Sequence, residues 1–137
     1  MRLIPEPIEE LNKQYWQHCA EMRLCFQKCK GCGIWRHIPR PMCASCNSME
    51  WEWAESKGRG KVFSWTVTHA PFHALLAAMV PYAVLIVELD EGVKMVSGLR
   101  NLPVDKIELG LQVEVVFERV SEKMVMPYFQ PLQKANE

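Results

Sequence analysis

The sequence has no surplus of either charge. Its 137 residues include 16 lysine and arginine residues and 16 aspartate and glutamate residues. A protein that binds a polyanion over its whole surface carries a clear positive excess. The even balance argues against a general nucleic-acid-binding surface, so single-stranded nucleic-acid binding is kept only as a minor alternative.

The sequence also lacks an unbroken apolar run long enough to cross a membrane. Stretch 70–87 carries no formal charge, but Pro71, His73 and Pro81 interrupt it, and a span needs about 20 predominantly apolar residues. The opening MRLIPEPIEELNK has no apolar core followed by a small-residue cleavage site, so no signal peptide is predicted. We therefore expect a cytoplasmic protein whose six cysteines stay reduced and favour metal binding over disulfides.

A spaced set of catalytic residues is missing as well. The four histidines form no arrangement with a serine, a cysteine or a carboxylate pair: His18, His37, His69 and His73. His69 and His73 are four residues apart, but Pro71 between them disfavours the helix that would bring them together. The sequence predicts a chain that is not an enzyme by itself.

What the sequence does have is two Cys-x-x-Cys pairs, ten residues apart, within CKGCGIWRHIPRPMCASC. Each such turn directs two sulfurs to one side of a metal, and two turns complete a tetrahedral site. We predict a structural zinc ion held by four thiolates, Cys29, Cys32, Cys43 and Cys46. Four thiolates leave no open coordination position for catalysis. Rubredoxin-type iron uses the same ligands, so the spacing alone leaves iron as an alternative.

Hydrophobic periodicity divides the chain into three predicted segments. Segment 1–22 is an N-terminal helical segment, in which residues 6–22 form an amphipathic helix with apolar residues three or four apart, namely Ile8, Leu11, Tyr15, Cys19 and Met22. Segment 23–56 is a rubredoxin-like zinc ribbon that begins with a short strand. Segment 57–137 contains five predicted strands, with a hairpin turn at Asp90-Glu91-Gly92. The expected fold is mainly β, ending in a five-stranded OB-type barrel.

The aromatic residues of the predicted barrel follow the alternation of a strand. Phe63 and Trp65 are two residues apart, and Phe117 alternates with polar neighbours. We interpret all three as core residues, which again disfavours a surface for stacking nucleic-acid bases.

The charges are distributed unevenly along the chain. Residues 22–61 carry eight basic and three acidic side chains, whereas the remainder carries eight basic and thirteen acidic ones. The basic side chains of the ribbon are either a solvated face or a site for a small anionic ligand such as the phosphates of coenzyme A. The residues proposed for that site are Lys28, Lys30, Arg36 and Arg40.

The stretch APFHALLAAMVPY is the most apolar part of the sequence. As a helix it would be apolar on all sides, with one face formed by Phe72, Leu75, Leu76 and Met79. Burial within the same domain is one interpretation. We favour burial against a second protein chain, because large exposed apolar patches mark interfaces.

The order of these motifs resembles the zinc-ribbon plus OB-fold family of acyl-CoA-associated proteins. The resemblance covers nearly the whole chain. It depends on the cysteine pairs, on GRGKVFSWT at 58–66, on PYAVLIVELDEG at 81–92 and on the late YFQP. It implies that the four cysteines are zinc ligands and that the catalytic groups belong to a partner protein.

Members of that family accompany thiolase-fold enzymes or hot-dog-fold hydratases. The resemblance therefore implies a non-catalytic accessory subunit of a thiolase-type acyltransferase complex that shares acyl-CoA with its partner. Among the thiolase-associated members, the small subunits of two-component thiolases in anaerobic aromatic degradation, such as benzoylsuccinyl-CoA thiolase, look similar. A subunit of an enoyl-CoA hydratase or a retro-aldolase is the alternative.

Overall fold

The structure is a computed structural model that describes residues 9–71, 74 and 77–132. Within these ranges the chain forms one α-helix, eight β-strands and a 3₁₀ turn at Val104–Lys106. In chain order the helix and strands are α1 (Glu10–Ala20), β1 (Cys25–Cys29), β2 (Trp35–Arg36), β3 (Trp51–Glu55), β4 (Arg59–Thr68), β5 (Tyr82–Leu89), β6 (Lys94–Gly98), β7 (Gln112–Arg119) and β8 (Val125–Pro131).

Helix α1 buries the middle of its predicted apolar stripe. Tyr15 and Cys19 are buried, one turn apart on the face that meets the rest of the molecule. The prediction was wrong for Met22, whose side chain is 52% exposed. Ile8 lies outside the described residues.

The exposure of Met22 follows from how the helix ends. The N–H of Arg23 donates to the carbonyl of His18 at 3.0 Å, and the N–H of Met22 donates to the carbonyl of Cys19 at 2.9 Å. This pair of bonds is a Schellman motif, in which the residue after the cap takes a left-handed conformation. Met22 has φ 61° and therefore points away from the helix stripe.

Two antiparallel sheets follow the helix. The smaller has the order β2-β1-β3, and the larger has the order β6-β5-β4-β7-β8. The predicted hairpin turn is confirmed, since Gly92 has φ 94° and its N–H donates to the carbonyl of Leu89. A parallel bridge between Leu99 and Phe129 joins the two edges of the larger sheet. The result is a nearly closed five-stranded barrel, which confirms the predicted OB-type architecture.

A β-bulge corrects the predicted faces of β4. Val62 pairs with Val87 and Ser64 pairs with Ile86, which leaves Phe63 without a partner in the register. The extra residue reverses the alternation, so Val62 before the bulge and Trp65 after it both face inward. Phe63 is 48% exposed instead of buried, and Lys94 Nζ lies 4.1 Å from its ring centre.

The core is shared among the helix, the ribbon and the barrel. Tyr15 and Cys19 of α1 and Phe26 of β1 belong to the same buried cluster as the barrel residues Val62 and Leu85. Trp65 and Phe117 pack against this cluster, as predicted.

Two polar contacts fix the ribbon more precisely. Trp53 Nε1 donates to Gln14 Oε1 of the helix at 2.8 Å. The carboxylate of Glu91, in the β5–β6 turn, accepts from the Ser56 hydroxyl at 2.6 Å and from the Lys57 N–H at 3.1 Å. The connector between ribbon and barrel is therefore held at a defined position.

Candidate metal centre and adjoining surfaces

The four predicted cysteine ligands converge at one end of the ribbon. Their Sγ atoms all lie within 4.8 Å of one another, and this is the one group of three or more His, Cys, Asp or Glu side chains with metal-binding proximity among the described residues. Across the two pairs, Cys29 and Cys46 are 3.5 Å apart and Cys32 and Cys43 are 3.7 Å apart at sulfur. Tetrahedral zinc with Zn–S bonds of about 2.3 Å requires sulfur separations of about 3.8 Å. The cluster therefore has the dimensions of a four-thiolate zinc site.

The two cysteine turns have the same backbone design. In the first, the N–H of Cys29 donates to the carbonyl of Ile34, and the N–H of Gly33 donates to the carbonyl of Cys29. In the second, the N–H of Cys43 donates to the carbonyl of Ser48, and the N–H of Asn47 donates to the carbonyl of Cys43. Each turn thus places its two sulfurs by an equivalent set of hydrogen bonds.

The fourth residue after the leading cysteine is left-handed in both turns. Gly33 has φ 79° and Asn47 has φ 63°. Glycine and asparagine are residue types that tolerate this region. Gly33 lies four residues after Cys29 and Asn47 lies four residues after Cys43, so the equal spacing is a sequence signal for both positions.

Gly31 allows the two turns to approach each other. A Cβ at this position would lie 3.0 Å from the Ser48 Cβ and 3.1 Å from the Cys46 Sγ. The Gly31 N–H also donates to Cys29 Sγ at 3.3 Å. A side chain here would push the second turn away from the first.

The backbone N–H groups of the two turns shift the pKa values of the cysteine thiols by different amounts. The Cys32 N–H, 3.5 Å from Cys29 Sγ, is the main cause that lowers the pKa of the Cys29 thiol to about 6. The pKa of Cys43 is lowered chiefly by the backbone N–H of Cys46. The Ser48 N–H lowers the pKa of Cys46, but the Cys29 sulfur, burial and the other two sulfurs together raise that pKa to about 11. Metal ligation stabilises the thiolate form of cysteine, so the proximity of the four sulfurs supports a structural zinc.

The remaining two cysteines lie away from the cluster. Cys19 is fully buried in the core, and burial raises the pKa of its thiol to about 12. Cys25 is also buried, and burial raises its pKa. Both thiols are protonated at neutral pH, as expected for packing residues.

The four predicted phosphate-binding residues do not share one face of the ribbon. In the β1–β2 pair Gln27 lies opposite Arg36 and Lys28 lies opposite Trp35, so Lys28 and Arg36 point to opposite faces. Lys28 Nζ sits 5.6 Å from the centre of the Trp35 ring. Lys30 and Arg40 are exposed. A phosphate role for this set stays a prediction.

Arg36 has a structural role in addition. Its Nε donates to Gln27 Oε1 at 2.8 Å, and its Nη2 donates to the Arg40 carbonyl at 2.9 Å. The N–H of Arg40 donates to the same Gln27 oxygen at 2.7 Å. Gln27 is fully buried, so Arg36 fixes the loop that leads to the second cysteine turn.

Of the predicted partner-interface residues, only Met79 is described; Phe72, Leu75 and Leu76 lie outside the described residues. Met79 is 52% exposed. It lines a cleft of about 880 Å³ between the helix, the ribbon and the barrel. Ile38 of the ribbon and Val96 of β6 line the same cleft and are 61% and 67% exposed. No described helix is both long enough and apolar enough to cross a membrane.

Comparison with protein-family models divides the chain within β3, shortly before the larger sheet begins. Residues 16–52 match the model described as ChsH2, rubredoxin-like zinc ribbon domain. Residues 53–118 match the model described as ChsH2, C-terminal OB-fold domain. Both descriptions agree with the observed ribbon and barrel.

Three similar proteins cover most of the chain. A DUF35 domain-containing scaffold protein of Methanocaldococcus jannaschii is 33% identical, over 78% of this chain and 77% of that protein. A probable enoyl-CoA hydratase alpha subunit of Thermomonospora curvata is 36% identical over 94% of this chain, which spans 40% of that subunit's length. A solved structure described as Ltp2-ChsH2(DUF35) aldolase matches with a TM-score of 0.84 and 34% identity, over 93% of this chain and 98% of that one.

Proposed function

The chain belongs to the DUF35 family of zinc-ribbon and OB-fold proteins, and from this we propose that it is a non-catalytic, cytoplasmic subunit of an enzyme complex that acts on coenzyme A thioesters. In this proposal the chain supports the catalytic subunit and borders the path of the acyl-CoA. A thiolase-type acyltransferase is our first candidate for the partner.

The observation that carries the proposal is the closed geometry of the cysteine cluster. All four sulfurs face one another within 4.8 Å, and a zinc ion with four thiolates has no position left for substrate or water. Such a metal stabilises a shape and supplies no chemistry. We therefore assign this chain the role of binding another protein through the surface that the metal stabilises.

Exposed apolar side chains indicate where the proposed protein-binding surface lies. Ile38, Met79 and Val96 are each more than half exposed and line one cleft. Contiguous exposed apolar surface is typical of protein interfaces, and Met79 belongs to the stretch for which the sequence predicts a partner. We propose that the catalytic subunit covers the rim of this cleft.

An accessory subunit of an enoyl-CoA hydratase or an aldolase is the second candidate. The names of two of the similar proteins favour it, since one is a hydratase alpha subunit and the other an aldolase assembly. Both candidates give this chain the same non-catalytic role and differ only in the partner.

Co-expression with thiolase-type, hydratase and aldolase subunits encoded by the same organism tests the proposal. We expect stable co-elution from a sizing column with one of the three at micromolar concentrations, and no thioester turnover by the chain alone. Met79→Asp should weaken co-elution, whereas Leu109→Asp, at a 73% exposed apolar residue outside the cleft, should not. Turnover by the isolated chain, or no co-elution with any of the three, contradicts the proposal.

The proposed coenzyme A contact is tested separately in the complex. Charge reversal at the exposed ribbon residues, Lys30→Glu with Arg40→Glu, should weaken acyl-CoA binding at least fivefold, because phosphates bind cationic side chains. Lys106→Glu, also exposed but outside the ribbon, is the control. Equal affinities for the two variants would remove the phosphate role from the ribbon.

A further inference from the structure

The cleft between helix, ribbon and barrel has the dimensions of a small-molecule site. Its volume of about 880 Å³ falls within the range of about 300–1,000 Å³ that is typical of ligand pockets. Its barrel wall comes largely from β5 and β6, the second and third strands of the barrel. That is the face on which OB folds bind their ligands.

The described residues that line the cleft offer no free charge. Among the described residues that line it, Arg100 is the one with a permanent charge. Its Nε donates to Glu118 Oε2 at 2.8 Å, and its guanidinium lies 3.8 Å from the centre of the Tyr128 ring. A nucleotide or a free carboxylate would find its only permanent cation already paired, so the cleft does not suit an anion.

The other polar groups of the lining are neutral. The Ser97 hydroxyl donates to the Pro127 carbonyl at 2.9 Å. His37 lies against the ring of Tyr15, with centroids 4.8 Å apart, and its Nδ1 is enclosed without a hydrogen-bond partner. Burial lowers the pKa of His37 to about 4, so the imidazole is uncharged at pH 7.

Other side chains of the lining are flat aromatic rings or flexible methionines. Trp16, Tyr82 and Tyr128 contribute aromatic side chains, and Met79, Met95 and Met126 contribute thioethers. Aromatic faces favour stacked or edge-on rings, while methionine adapts its shape to irregular ligands.

We propose that this cleft is a binding site for an uncharged, ring-containing hydrocarbon group. Such a group could be a free neutral hydrocarbon or the acyl part of a thioester. This inference goes beyond the proposed scaffold role and concerns the chain alone, so it does not depend on the identity of the catalytic partner.

The test is binding of methyl 2-naphthoate to the isolated zinc-loaded chain. Calorimetry measures the affinity, and backbone amide NMR shifts locate the bound ligand. We expect saturable binding with shifts concentrated in 95–99 and 126–128. The free acid, 2-naphthoate, should bind at least tenfold more weakly, because the described lining residues offer no free cation for its carboxylate. Binding of 1-octanol as tight as that of the ester would overturn the preference for rings.

Matched variants connect the binding to the cleft. Val96→Trp adds bulk at an exposed cleft residue and should weaken binding at least tenfold, and Met79→Trp, at a second exposed cleft residue, should do the same. Leu109→Trp adds the same side chain at an exposed residue outside the cleft and should change affinity less than twofold. No saturable binding, or equal affinities for Val96→Trp and Leu109→Trp, would overturn the proposal.

The naphthoyl thioester of N-acetylcysteamine tests whether the ligand is the acyl part of a thioester or a free hydrocarbon. Affinity within threefold of the methyl ester assigns the cleft to acyl groups of thioesters. Affinity more than tenfold weaker assigns it to free hydrocarbons. Failure of all these ligands would leave co-elution with a catalytic subunit unaffected, so the scaffold role and the binding site are separately refutable.

Discussion

The ribbon and the barrel are stabilised by different physics. Between residues 30 and 55 the only buried residue is the metal-cluster cysteine Cys43. In β5 of the barrel, every second residue is buried: Ala83, Leu85, Val87 and Leu89. The ribbon turns have almost no apolar interior, whereas the barrel is built around one.

This difference assigns a separate source of free energy to each region. Apolar burial stabilises the barrel by about 25 cal/mol for each Å² removed from water. The cysteine turns have little such area, so their order depends on a bound metal, which in small modules contributes roughly 10–16 kcal/mol of apparent free energy. Removing the metal and removing core volume should therefore damage different parts of the molecule.

Cys43→Ser is expected to have the largest effect. It removes a thiolate from the cluster and leaves the two cysteine turns without their metal. We expect loss of bound zinc and fast amide hydrogen exchange throughout 30–53, while exchange in β5 and β7 stays slow. Metal analysis by mass spectrometry also distinguishes zinc from iron in the parent protein.

Cys25→Ser is the matched control, since Cys25 is buried in β1 but lies outside the cluster. It should keep a full equivalent of metal and slow exchange in the ribbon. A Cys43→Ser variant with parental metal content and an unchanged melting temperature would contradict the structural role of the cluster.

Leu85→Ala is expected to destabilise the barrel and to leave the metal site of the ribbon intact, the opposite of Cys43→Ser. Leu85 is fully buried in the barrel core, and truncation of such a leucine costs about 2–5 kcal/mol. Chemical denaturation should record this loss, while one equivalent of zinc stays bound under native conditions. Loss of zinc already under native conditions would show that the two regions are coupled more tightly than their burial suggests.

The same contrast explains how much the sequence could predict. The cysteine turns are local: fixed spacing, a glycine at 33 and thiol chemistry define the cluster without reference to the rest of the chain. The prediction of five strands and of the hairpin at Gly92 was also local, because alternation and turn residues lie in neighbouring positions.

Features that depend on distant contacts were not predictable. The bulge at Phe63 changes which residues of β4 face inward, and it is defined only by the pairing with β5. The placement of Lys28 and Arg36 on opposite faces depends on the register of a two-residue strand. The cleft is formed by three segments that are far apart in sequence. No single-strand pattern contains that information.

The His37 ring packs against Tyr15 of α1 and Phe26 of β1. Because both of these residues belong to the shared core, His37 should make the stability of that core depend on pH. Burial lowers its folded-state pKa to about 4, whereas the unfolded value is about 6.5. The unfolded chain therefore binds the proton more readily, and stability is lost as pH falls from 6.5 towards 4. Between pH 7 and pH 5 we expect a loss of about 2 kcal/mol from this group.

His37→Phe keeps an aromatic ring beside Tyr15 and Phe26 and removes the titration. Denaturation at pH 7, 6 and 5, with zinc content measured at each pH, should give a flatter profile for the variant than for the parent. Parallel profiles would assign the acid sensitivity to the cysteine cluster instead.

Met22→Gly is expected to have the smallest effect, and it is stabilising. Met22 ends α1 at φ 61° with half of its side chain exposed, and a side chain in this left-handed region costs about 1–2 kcal/mol. Glycine removes that cost but makes the unfolded chain more flexible, so the net gain should be about 0.5–1 kcal/mol. Met22→Ala keeps the Cβ and should gain nothing. Because α1 packs into the core shared with the barrel, the gain should be the same with and without a zinc chelator. A gain that disappears on chelation would mean that the helix derives its stability from the ribbon.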